Sequence, residues 1–152
     1  MEQSLFEEVG DALRGMVPTE LGSAQLHVRR YGIKLWFGAE TSPREHYEAQ
    51  LIGADAVDDA TVLAVEIGFH AEYPRLVDNE KVIAHLAGNE KRWRKIVGHE
   101  AVTGPFLGRP DVWRRISETW PDPDLGDPEL AVELAARLTD YVAALEPVRR
   151  QR

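Results

Sequence analysis

The sequence predicts an α+β fold: an antiparallel meander sheet of about four to six strands with an N-terminal, a central and a C-terminal helix. Three observations predict it. Residues 46–52 and 61–73 alternate apolar and polar with a period of two, as a strand buried on one face does. Residues 5–16, 78–97 and 128–146 carry apolar groups at helical spacing. The helices also bracket the run of strands instead of alternating with each one, which favours a meander over a wound parallel sheet.

The chain has 152 residues, a hydrophobic fraction of 43% and four Trp, enough for one domain spanning residues 1–152 with its own core. It has no cysteine, which removes disulfides, zinc–thiolate sites, iron–sulfur clusters and thiol nucleophiles. No apolar run reaches the ~18 residues of a membrane span. The N-terminal MEQSLFEEVG is acidic, unlike a targeting peptide, so a cytoplasmic location is expected. The net charge of −8 makes nucleic acid an unfavourable partner.

Element by element, Ser4 and Glu7 form a capping box, and Phe6, Val9, Leu13 and Met16 follow on one helical stripe that Gly15 and Pro18 end. Beyond it, Leu26 and Val28 are even-numbered, whereas Ile33, Leu35 and Phe37 are odd. Either a tight turn at Tyr31-Gly32, pairing Val28 with Leu35, or a bulge at Gly32 reconciles the two sets. The hairpin is preferred, and its other face carries His27, Arg29, Lys34 and Trp36. A loop over 38–44 precedes the two central strands, which an acidic turn at 53–60 joins.

Asp78 is expected to cap the central helix, with a break at Gly88-Asn89 and an end at Gly98. Residues 104–110 are rich in turn formers, and Val112–Trp120 has the pattern of an amphipathic strand. For the last helix, Asp127 is the expected cap, Pro128 the first helical residue and Pro147 the stop. This element order is similar to that of the secretion-chaperone-like fold. The similarity is one of topology alone and implies protein binding.

The chemistry concentrates on the polar side of the central strands. Tyr47, Ala49 and Leu51 share one face with Leu63, Val65, Ile67 and Phe69, leaving His46, Glu48, Gln50, Glu66 and His70 opposite, together with Gly68 and Glu72. Parity allows several antiparallel registers, in which Glu48 faces Glu66, His46 faces Glu66, or His46 faces His70 with Gln50 facing Glu66. These differ in chemistry: an acid pair, a His–Glu pair, or two imidazoles able to share an ion. On a regular strand Glu66 and His70 stand roughly 13 Å apart at about 3.3 Å per residue, too far to bind one ion together. A metal shell is therefore expected to need His46, Glu48, one of Glu66 or His70, and a group from another strand.

Familiar motifs fail on single residues. His99-Glu100 has Thr103 where a zinc-protease helix needs its second histidine, and residues 122–127 have Gly126 where a calcium loop needs an oxygen donor and Asp127 where it needs its glycine. The expectation is a binding or adaptor module that recognises a protein or small-molecule ligand through Trp36, His46, Glu48, Gln50, Glu66 and His70. No cofactor is expected and no metal is assigned, and a homodimer is allowed. The alternative is a metal-assisted or acid–base hydrolase using His46, Glu48, Glu66 and His70.

Overall fold

Ser4 caps the first helix, its side chain accepting from the Glu7 amide, but the Glu7 carboxylate accepts from the Ser4 hydroxyl and not from the backbone amide that a full capping box uses. A computed structural model describes residues 3–41 and 43–152. Among these, helix α1 (Leu5–Met16) is followed by strands β1 (Ala24–Arg29), β2 (Gly32–Phe37), β3 (Glu45–Gly53) and β4 (Leu63–Ala71). Helices α2 (Leu76–Ala87) and α3 (Glu90–Val97) then lead to β5 (Val102–Phe106), β6 (Arg109–Pro121) and α4 (Leu130–Arg149). The six strands form one antiparallel sheet in the order β1-β2-β3-β4-β6-β5, so the α+β expectation holds.

The core lies between the sheet and its helices. Tyr47, Ala49, Val65, Ile67, Phe69 and Ile116 face α1 and α4, where Phe6, Val9, Leu13, Leu134, Leu138 and Leu145 are wholly buried. Each such side chain contributes about 1.5–3 kcal/mol by leaving water. Helix α4 is buried on more than one stripe, since Ala131, Ala135, Val142 and Val148 also reach the core. Trp93 is the largest fully buried side chain, and its indole donates to the Leu86 carbonyl at the join of α2 and α3. No helix among the described residues is long and apolar enough to cross a membrane.

Several local expectations are corrected. The first hairpin turns at Arg30-Tyr31, pairing Leu26 with Leu35 and Val28 with Ile33, two residues away from the expected register. Gly32 is needed in the strand because it lies against β3: a Cβ there would come within 3.0 Å of the Gln50 Cβ. Helix α2 starts at Leu76 with Arg75 at the cap position, which places Asp78 in the first turn, where an acid suits the helix dipole.

Residues 102–106, which overlap the start of the region read as turn-rich, form strand β5. It tolerates Pro105 because it lies at the sheet edge. The following strand extends from Arg109 to Pro121, beyond both expected ends. At the last helix the cap position falls at Glu129 in place of Asp127, and regular helix begins at Leu130; Asp127 accepts from the Glu129 amide in the turn before it. Pro147 does not stop it. Its missing N–H costs one backbone bond, while Arg149 and Arg150 clasp Glu146 across the last turn at 2.8–2.9 Å.

Candidate metal centre

On the face of the sheet away from α1 and α4, β3 and β4 pair so that His46 opposes His70, Gln50 opposes Glu66 and Glu48 opposes Gly68. This is the third of the registers that parity allows, and it forms neither the Glu48–Glu66 nor the His46–Glu66 cross-strand pair.

Gly68 organises the cluster. Its φ of 155° already favours glycine, and a Cβ there would lie 2.3 Å from the Ile116 carbonyl oxygen and 2.6 Å from Ser117 Cα. With no side chain at 68, Glu66 and His70 reach over the gap. His70 Nε2 donates to the Glu66 carboxylate at 2.7 and 2.9 Å. The roughly 13 Å backbone separation expected of a regular strand therefore does not keep these two residues apart.

That contact aims the other ring nitrogen, Nδ1 of His70, at Glu48 Oε1 (3.2 Å) and Glu72 Oε2 (3.3 Å). His46 Nε2 meets the same two oxygens at 2.9 and 3.5 Å, while its Nδ1 lies 3.3 Å from the Pro43 carbonyl. Two nitrogens and two oxygens thus converge, all within 4.8 Å of one another. A tetrahedral ion with bonds of about 2.0–2.1 Å separates its ligands by about 3.3 Å. Of the six edges, the four between nitrogen and oxygen, 2.9 to 3.5 Å, span that value, while the nitrogen–nitrogen and oxygen–oxygen edges lie within 4.8 Å.

The donors are buried, with exposures of 1% for His46, 2% for Glu48 and 0% for His70, while Glu72 reaches 8%. Outer groups hold most of them. Arg29 from β1 donates to the second oxygen of Glu48, and Gln50 donates to Glu66 at 2.9 Å. The Phe106 ring stands edge-on to His70 at 4.6 Å between centroids, closing that side. A carbonyl behind one imidazole and a carboxylate behind the other is how ligating histidines are held, each fixing which nitrogen is free to bind.

Electrostatics fit this arrangement. Burial alone would push Glu48 up, but hydrogen bonds from His46 and His70 hold it well below the usual carboxylate range. Glu66 and Glu72 are lowered in the same way, against their burial, chiefly by His70 and, for Glu72, by His46 as well. Burial alone would push His70 down, yet the charge of Glu66 and contacts with Glu48 and Glu72 hold it well above the ordinary histidine value. As it stands, the imidazolium is the counter-ion the carboxylates share. A divalent ion would take over that role.

Of the residues read from sequence, His46, Glu48 and His70 converge directly, while Glu66 and Gln50 stand behind them. Trp36 is buried, and its indole N–H donates to the Glu40 carbonyl at 2.8 Å and not to a member of the cluster. The fourth donor, Glu72, is not among the residues singled out from sequence. It comes from the end of β4 and not from another strand. Its signal is a repeat: His46-Tyr47-Glu48 and His70-Ala71-Glu72 share the pattern His-x-Glu. Each repeat sets both side chains on one strand face. With the histidines opposed, the glutamates fall on either side of them.

Compared with protein-family models, with curated proteins and with solved structures, the chain shows no match.

Proposed function

We propose that this protein is a binding module whose ligand is a single divalent transition-metal ion held by His46, Glu48, His70 and Glu72. The observation that carries the reading is the convergence of four buried donors within 4.8 Å of one another, their four nitrogen–oxygen edges being 2.9 to 3.5 Å. Two imidazoles and two carboxylates suit Zn²⁺, Co²⁺, Fe²⁺ or Mn²⁺. Ca²⁺ prefers six to eight oxygens, and Cu⁺ prefers sulfur. A dication also neutralises Glu48 and Glu72 where burial makes an unbalanced charge costly.

Four protein donors in a buried pocket favour holding an ion over hydrolysing a substrate, because a hydrolytic centre keeps a position open for water. The ion would also tie the strand pair at the middle of the sheet into one unit.

The test is elemental analysis of purified, tag-free protein together with thermal unfolding. Near-unit stoichiometry of Zn²⁺ or Mn²⁺ is expected. An excess of a hundred times Kd should stabilise by about 2.7 kcal/mol, raising Tm by roughly 5–10 °C. Both effects should vanish in the double variant His46→Ala with His70→Ala. No ion on the protein and no shift with Zn²⁺, Mn²⁺ or Co²⁺ would remove the reading.

A further inference from the structure

The four donors are not equivalent. His46 and His70 each have a partner behind the ring, and Glu48 has Arg29 on its second oxygen. Among the described residues, the Glu72 carboxylate meets only the two imidazole nitrogens, at 3.3 and 3.5 Å. Glu72 also lies one residue beyond the end of β4, and its side chain is 11% exposed where those of the other three donors are 0–3% exposed. Lys34, which opposes Glu48 from β2, is the cation that acts on it from the neighbouring strand.

From these asymmetries we infer that Glu72 is the exchangeable ligand of the centre, and that a small external carboxylate takes its place on the ion. This rests on the metal-binding reading above. Without Glu72, the remaining set is two histidines and one carboxylate, an arrangement that binds a metal while leaving positions open for another ligand. The charge defines what fills the gap. A dication with Glu48 as its only anion carries a net charge of +1, so the incoming group is an anion of about the charge and size of the glutamate it displaces. The ion enters and leaves past Glu72, the end of the cluster nearest solvent.

The test uses Co²⁺ as a visible probe and acetate as the external carboxylate. Wild-type protein is expected to bind Co²⁺ with a tetrahedral absorption band. Glu72→Ala should keep Co²⁺ with affinity reduced about tenfold, release it to a chelator faster than wild type, and regain the wild-type band on addition of acetate. His46→Ala, Glu48→Ala and His70→Ala should each lose at least a hundredfold, and acetate should not restore Glu48→Ala, whose site is closed by Arg29 and the strands. Glu72→Ser, small and polar, provides the same comparison if the alanine variant does not fold. Wild-type Co²⁺ binding with Glu72 variants as damaged as Glu48→Ala and unresponsive to acetate overturns this inference alone. No Co²⁺ uptake by wild type overturns the metal-binding reading, and this inference with it.

Discussion

Glu66 holds His70 across a residue that has no side chain: its carboxylate accepts from Nε2 at 2.7 and 2.9 Å over Gly68, leaving Nδ1 aimed at Glu48 and Glu72. Glu66 is thus a positioning residue behind a ligand. Glu66→Gln should lower metal affinity about 10–100-fold, the usual cost of losing an outer carboxylate, without abolishing binding. Competition with a chromophoric chelator measures it. An unchanged affinity would show that Glu66 does not orient the ring.

Gly68 makes that contact possible, and its backbone is fixed by β6. Gly68→Ala forces a Cβ against the Ile116 carbonyl and Ser117, at a φ that disfavours side chains. Overpacking and backbone strain together should cost roughly 2–4 kcal/mol. Gly104→Ala is the control, since a Cβ there meets nothing within 4 Å. Denaturant midpoints of the two variants, compared at equal slope, decide the point; equal midpoints would contradict it.

Much of the site was legible in the sequence because period-two alternation assigns faces without knowledge of pairing. That placed His46, Glu48, Gln50, Glu66 and His70 together. Register was not legible, since parity alone admits every even shift. The register that forms sets His46 opposite His70 and Gln50 opposite Glu66, where the Gln50 amide donates to the Glu66 carboxylate, a contact that alternation does not encode. Alternation also puts Glu72 on the polar face, but strand spacing points to another strand for the fourth donor, because it does not show that His46 and His70 would bring both His-x-Glu pairs to one point. The hairpin turn was misplaced for a related reason: Gly32 reads as a turn residue, but contact with Gln50 demands its small size within a strand. Pro147 reads as a helix stop because local sequence does not reveal the Glu146 clasp that holds the last turn together.

Away from the cluster, Glu118 gives a pH dependence. It accepts from Tyr141 at 2.7 Å, Trp120 at 2.8 Å and Arg137 at 2.9 Å. Burial would raise its pKa, but these donors outweigh burial and hold it below the ordinary 4.5. A depressed folded-state value means the stabilisation is present above the unfolded-state pKa and is lost as pH falls through the folded-state one. Wild type should therefore exceed Glu118→Gln in stability at neutral pH, and the gap should narrow below roughly pH 4.5. Urea midpoints in the presence of chelator measure this; a constant gap would contradict it.

Tyr47 joins the sheet to α4 through its hydroxyl, which donates to the buried Glu146 carboxylate at 2.9 Å. Tyr47→Phe removes one donor to a charged acceptor and should cost about 1.5–3 kcal/mol. Metal affinity should stay unchanged, because this side chain points to the opposite face from His46 and Glu48. Paired unfolding and chelator-competition curves test both halves; a large loss of affinity would refute the separation of the two faces.

The most direct measurement is anomalous X-ray scattering at the zinc edge from crystals of the zinc-saturated protein. One peak should lie about 2.0–2.2 Å from His46 Nε2, Glu48 Oε1, His70 Nδ1 and Glu72 Oε2. A peak confined to other residues, such as the exposed His27, or none despite saturation, would contradict the assignment.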